Sequence, residues 1–135
     1  MTTWARSLIR ISTYEVETLQ KRLAEIGSRR ASAEMRLAVL DAEVEIERER
    51  ARADAEAALL LQAYLNGWKH RKSTVEADLG ELEAEEEGAR DALTGAFEEL
   101  KKFEHVAELS RLERLAAAER RESAAFDALG LRRRA

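Results

Sequence analysis

At 135 residues the chain suits one domain, but its 45% apolar content is mostly Ala and Leu, which argues against a thick globular core. With no proline, 37% charged residues and long runs of Ala, Glu, Arg and Leu, the composition is that of a long helix or coiled coil. There is no cysteine, which excludes disulfides, thiolate metal sites and cysteine nucleophiles, and the net charge of -4 argues against nucleic acid as the default partner.

The opening "MTTWARSLIRIS" lacks the continuous apolar stretch of a signal peptide, and nowhere does the chain approach the roughly 18 apolar residues of a membrane span. A soluble cytoplasmic protein is expected. From Val16, apolar residues recur at steps of three and four through Leu19, Leu23, Ile26, Ala33, Leu37, Leu40 and Val44. That is the heptad spacing of a helix with one apolar seam, and it predicts a first helix over about residues 4–51.

The seam then weakens to Glu47, Ala51, Asp54 and Ala58, within "EIERERARADAEAA". It resumes in the same phase at Leu61, Leu65, Trp68, Val75, Leu79, Leu82, Ala89, Leu93, Ala96, Leu100 and Phe103. The period runs straight through Asn66-Gly67, a helix-stop signal, and through Ser73-Thr74-Val75-Glu76, which spells a capping box. Two places for a chain reversal therefore compete, about residues 52–58 and about 66–73.

Layer pairing and charge separate them. In an antiparallel hairpin, a reversal near residue 56 sets Val44 against Trp68, Leu37 against Val75, Ala33 against Leu79 and Leu23 against Ala89, so large side chains meet small ones. The polar seam residues Arg30 and Glu86 then occupy adjacent layers. A reversal near residue 70 instead opposes Asp54 and Glu86. Residues 75–99 carry a net charge of -9; the earlier reversal places them against residues 13–37, at +1, and the later one against residues 41–65, at -4. The bend is therefore expected at about residues 52–58, with Asp54 as a helix N-cap, although no Gly or Pro marks it. It also sets "KHRK", residues 69–72, across from Asp41 and Glu43.

The second helix is expected over about residues 57–128, with a frayed tail at 129–135. At 1.5 Å per residue it would span about 105 Å, against about 70 Å for the first, and must overhang it. After Phe103 the apolar residues Val106, Leu109, Leu112 and Leu115 follow at steps of three, a change of period that points to packing on something other than the first helix. The expected fold class is all-α, a two-helix antiparallel coiled-coil hairpin with a longer second helix, forming a single domain over 1–135.

No catalytic constellation is visible, and neither a metal site nor a cofactor is expected. His70 and His105 are far apart and read as solvated; Gly80, Gly88 and Gly95 form no phosphate cradle; "ELEAEEE" reads as a solvated face. Tyr64 flanks the seam, and Trp4 could either cap the open end or contact a partner. Residues 1–30 and 100–135 are each +3, so a hairpin gathers a basic pole suited to an acidic protein lumen, an anionic membrane surface or RNA.

"SLIRISTYEVETLQKRLAEI", "QAYLNGWKHRKSTVEADLGELEAE" and "AFEELKKFEHVAELSRLERLAAAERRESAAFDALG" together resemble the FliJ family, coiled-coil components of the bacterial flagellar protein-export apparatus. The last segment matches the family's Lys-x-x-Glu region at Lys101 and Glu104 and its closing pattern at Arg121, Glu122 and Asp127, although Ala128 stands where the family usually carries Glu. The resemblance implies a non-enzymatic, stalk-like protein. Its end with both termini would enter the hexameric ring of the flagellar export ATPase and promote its activity. Its body would contact the cytoplasmic domain of the membrane-embedded export gate and the export chaperones, so that the protein is cytoplasmic and peripheral to the membrane. The ring contacts would fall to Arg6, Arg10, Arg114, Arg120 and Arg121, with Leu112 and Phe126 as apolar anchors, and the gate or chaperone contact to Tyr64 and the outer face nearby. A homodimeric coiled-coil scaffold and an RNA-binding helical arm stay open as alternatives.

Overall fold

A computed structural model describes residues 3–134. Two helices account for nearly all of them: α1, Thr3–Ala53, of 51 residues, and α2, Ala55–Arg134, of 80 residues. Asp54 alone separates them. The Asp54 N–H still donates to the Arg50 carbonyl at 3.0 Å, closing α1, while its own carbonyl accepts from Ala58 N–H at 3.0 Å, opening α2. Its Oδ1 accepts from the Glu56 N–H at 3.1 Å. The side chain thus satisfies one of the amides that the first turn of any helix leaves without a partner. No residue among those described has positive φ, so this reversal needs no glycine. Asp54→Ala should cost about 1 kcal/mol, read from the urea midpoint by circular dichroism.

α2 passes through Asn66 and Gly67 without interruption, so the alternative reversal at about 66–73 does not form. Both residues are exposed, and nothing lies within 4 Å of where a Gly67 Cβ would stand. Because the stop signal faces water, it costs propensity, about 1 kcal/mol for the glycine, without disturbing the packing that holds the helix. α2 also remains helical through Arg134, past the end expected near residue 128; Ala135, the last residue of the expected frayed tail, lies outside the described residues.

The helices pack along one heptad-spaced seam each. The chain divides into two compact units, one of Leu19–Ala92 and the other of residues 3–18 with 93–134. In the first, Ile26, Ala33, Leu82 and Ala89 form a buried cluster, with Leu23 and Leu79 packed against it. Ala33 is fully buried, which lets the backbones approach, while Ile26 fills the largest closed space at 2% exposure. Ion pairs rise along α2 as they descend α1, from Lys72–Asp41 through Arg36–Asp78 to Arg29–Glu85, which makes the pairing antiparallel.

Two polar links lie within this seam. Arg30 Nη1 donates to both carboxylate oxygens of Glu86 at 3.1 Å, and Arg90 pairs with the same carboxylate from its own helix. The Glu86 side chain is only 6% exposed, and Glu86 and Glu34 hold the Arg30 guanidinium above its ordinary pKa through hydrogen bonds. Trp68 Nε1 donates to the Leu40 carbonyl at 2.8 Å, one turn before Val44, and the Lys72 ammonium stands 4.9 Å from the Trp68 ring centre.

In the second unit, Ala5, Ser12 and Val16 are buried on α1, and Ala96, Leu100 and Ala107 on α2. The heptad line therefore reaches further toward the start of α1 than its apolar residues alone reveal, because Ala5 and Ser12 carry it.

Candidate partner-binding surfaces

Helix geometry decides what the far part of α2 presents. Successive residues turn by about 100°, so the line facing α1 runs through Leu100, Phe103, Ala107 and Ser110. Ala107 is its last buried residue, and from Arg111 onward nothing in α2 is buried among the described residues. Steps of three rotate each next residue by about 60° away from that line, so Val106, Leu109, Leu112 and Leu115 wind off the seam. All four are exposed by 45% or more. The change of period thus takes this apolar set off α1, leaving it uncovered.

Continued at heptad spacing, the seam line passes through Arg114, Ala117 and Arg121. Two residues of rotation, about 200°, put Leu112 nearly opposite Arg114, and Phe126 stands about 140° from Arg121. Of the sequence-predicted residues, Arg114 and Arg121 therefore share one side of α2, while Leu112 and Phe126, the latter 73% exposed, share another, with Arg120 between them. Arg6 and Arg10, one turn apart on α1, belong to the same unit and are exposed. Among the described residues none of these five arginines makes an ion pair. Arg111 differs: it donates to Glu108 at 3.0 and 2.7 Å, a hydrogen-bonded pairing that lowers the Glu108 pKa and raises its own. Trp4 is exposed rather than covering the seam.

Tyr64 lies in the other unit, half-buried near the reversal, with the Arg71 guanidinium 5.7 Å from its ring centre. Farther along the same unit is a groove of about 610 Å³, floored by Leu40 and Val75 and flanked by the exposed Met35 and Val39 of α1 and by His70 and Arg71 of α2. Tyr64 does not line it. Sequence reasoning missed this surface. Only part of its signal was present, in Met35 and Val39, apolar residues of α1 that lie off the seam.

His70 lies on the rim of the groove, and His105 is exposed in the other unit. Among the described residues no group of three or more His, Asp or Glu side chains could hold a metal ion, and no helix is long and apolar enough to cross a membrane.

No family model matches the chain, and no solved structure does. Two curated proteins of Caulobacter vibrioides, each named flagellar FliJ protein, one from strain NA1000 / CB15N and one from strain ATCC 19089 / CIP 103742 / CB 15, are each 50% identical to it over 135 residues. The match covers 100% of this chain and 97% of each relative. With half of the residues identical over the full length of this chain, the chain belongs to the flagellar FliJ family.

Proposed function

We propose that this chain is a non-enzymatic component of the flagellar protein-export apparatus, acting as a central stalk for the export ATPase ring. The observation that carries the reading is the far part of α2, a helix past its last buried residue in which Arg114, Arg120 and Arg121 form no ion pair among the described residues and Leu112 and Phe126 are exposed. Such a segment offers guanidinium forks for carboxylates of a ring lumen and separate apolar anchors on another side. Arg6 and Arg10 add to the same unit. A stalk needs no chemistry of its own: by touching ring subunits unequally it biases their conformational populations.

On this reading the other unit serves the export gate and the chaperones. Tyr64 and the groove beside Met35, Val39 and His70 are the surfaces that fit, since exposed aliphatic side chains rimmed by polar groups suit an amphipathic partner segment. The protein would then be cytoplasmic and peripheral to the membrane through those contacts.

The test is charge reversal. Arg120→Glu with Arg121→Glu should weaken binding to the export ATPase about tenfold or more and reduce its stimulation, with the helical circular dichroism unchanged. Unaltered stimulation would discard the stalk assignment.

A further inference from the structure

The cross-helix polar links are unevenly distributed. Arg22 and Arg29 to Glu85, Arg30 to Glu86, Arg36 to Asp78, Lys72 to Asp41 and Trp68 to Leu40 all lie within Leu19–Ala92. Among the described residues no hydrogen bond or ion pair joins α1 to α2 in the unit of residues 3–18 and 93–134.

The apolar layers differ in the same direction. Over residues 19–53, α1 buries Ile26, Ala33, Leu40 and Val44, whereas over residues 3–18 it fully buries Ala5, Ser12 and Val16 and half-buries Leu8 and Ile9. Two of the three fully buried side chains offer only a methyl or a hydroxymethyl group, so the closed positions of this stretch remove less apolar surface from water than Ile26, Leu40 and Val44 do. The Ser12 side chain, on a residue only 5% exposed, makes no hydrogen bond among those found, so its burial does not help either. Of the larger apolar residues of the same stretch, Trp4 and Ile11 face outward, and Leu8 and Ile9 are only half-buried.

We infer that residues 3–18 of α1 form a strap that detaches from α2 as one cooperative segment, while Leu19–Ala92 keeps its packed core. Segments with few buried apolar contacts and no cross-links populate the low end of the local opening scale. The strap is distinct from simple end fraying, because a heptad seam with one buried residue every turn or two is won or lost together. Opening uncovers the α2 line of Ala96, Leu100 and Ala107 without disturbing the links around Glu86 and Trp68. The inference does not depend on which partner the protein has.

Hydrogen exchange of the wild-type full chain tests it, with mass-spectrometric readout resolved along α1. Amides between about residues 7 and 18 should exchange at a nearly uniform level, about tenfold or more faster than those between Ile26 and Val44, with a step near Leu19. Protection equal to that of Ile26–Val44, or a smooth gradient decaying from the chain start, overturns the strap. Ser12→Leu supplies a second arm: a larger apolar side chain in the weak layer should slow exchange across the whole segment. Slowing confined to the turn around residue 12 would show that the segment does not move as a unit and would also overturn it.

Discussion

Ile26→Ala is expected to lower the stability of the fold by about 3 kcal/mol, read as a shift of the urea midpoint with little change in slope. Ile26 is 2% exposed and shares its cluster with Ala33, Leu82 and Ala89. Two of those neighbours are alanines, which cannot reach into the space a truncated side chain leaves. The cost therefore combines lost transfer free energy with a cavity that collapses poorly. Ile46→Ala is the matched control. It removes the same atoms from the same helix at a residue 54% exposed, and should change stability by about 0.5 kcal/mol or less. Equal effects at the two positions would contradict the burial pattern on which the seam rests.

The second large effect concerns the buried carboxylate. Arg30→Met leaves Glu86, with its side chain 6% exposed, to Arg90 alone, and an under-partnered carboxylate in that setting costs about 2 kcal/mol. Adding Glu86→Leu should restore most of what was lost, because the leucine continues the apolar seam and the desolvated charge is gone. The order of stabilities, with the double variant well above Arg30→Met, is the discriminating result of the cycle. The native pair then contributes register more than stability: Arg30 Nη1, donating to both oxygens of Glu86, fits one alignment of α1 against α2, and a slip of one heptad would bury Glu86 without it. Trp68, donating to the Leu40 carbonyl, constrains the same register from the other side of the cluster.

Much of this architecture was legible residue by residue. Val16 through Val44 spelled the α1 seam, and Leu61 through Phe103 the α2 seam, because burial against a single partner helix imposes a period of 3.5 that side-chain type records directly. The meeting of Arg30 with Glu86, and of Lys72 with Asp41, followed from layer pairing once charge had ruled out stacking residues 75–99 on 41–65. Asn66-Gly67 was readable as a soft spot on the outer face and not a stop, since the seam phase continued through it. The basic residues from Arg114 to Arg121 could be recognised as surplus to the hairpin, because α1 is too short to cover them.

Other features left weaker traces. Ala5 and Ser12 are seam residues, yet small side chains look alike on either face of a helix, so only their burial reveals the role. Val106 and Leu109 were read as leaving the seam and are exposed, whereas Ala107, which the rotation of α2 delivers to α1, is too small to stand out in the sequence. The groove beside Met35 needed two helices at a known register, since its floor and rims come from both. Trp68 donating to a main-chain carbonyl of α1 is likewise invisible in any one-dimensional pattern.

Heptad spacing and the balance of charge between segments were enough to dictate that this chain is helical, that it doubles back, and which layers meet, because those choices depend on side-chain polarity summed over many residues. The reversal at a single aspartate, the division into a unit with cross-helix polar links and one with none among the described residues, and the burial of Ala5, Ser12 and Ala107 came from three-dimensional packing. They depend on distances and rotation angles of a few residues at a time, which polarity alone does not encode.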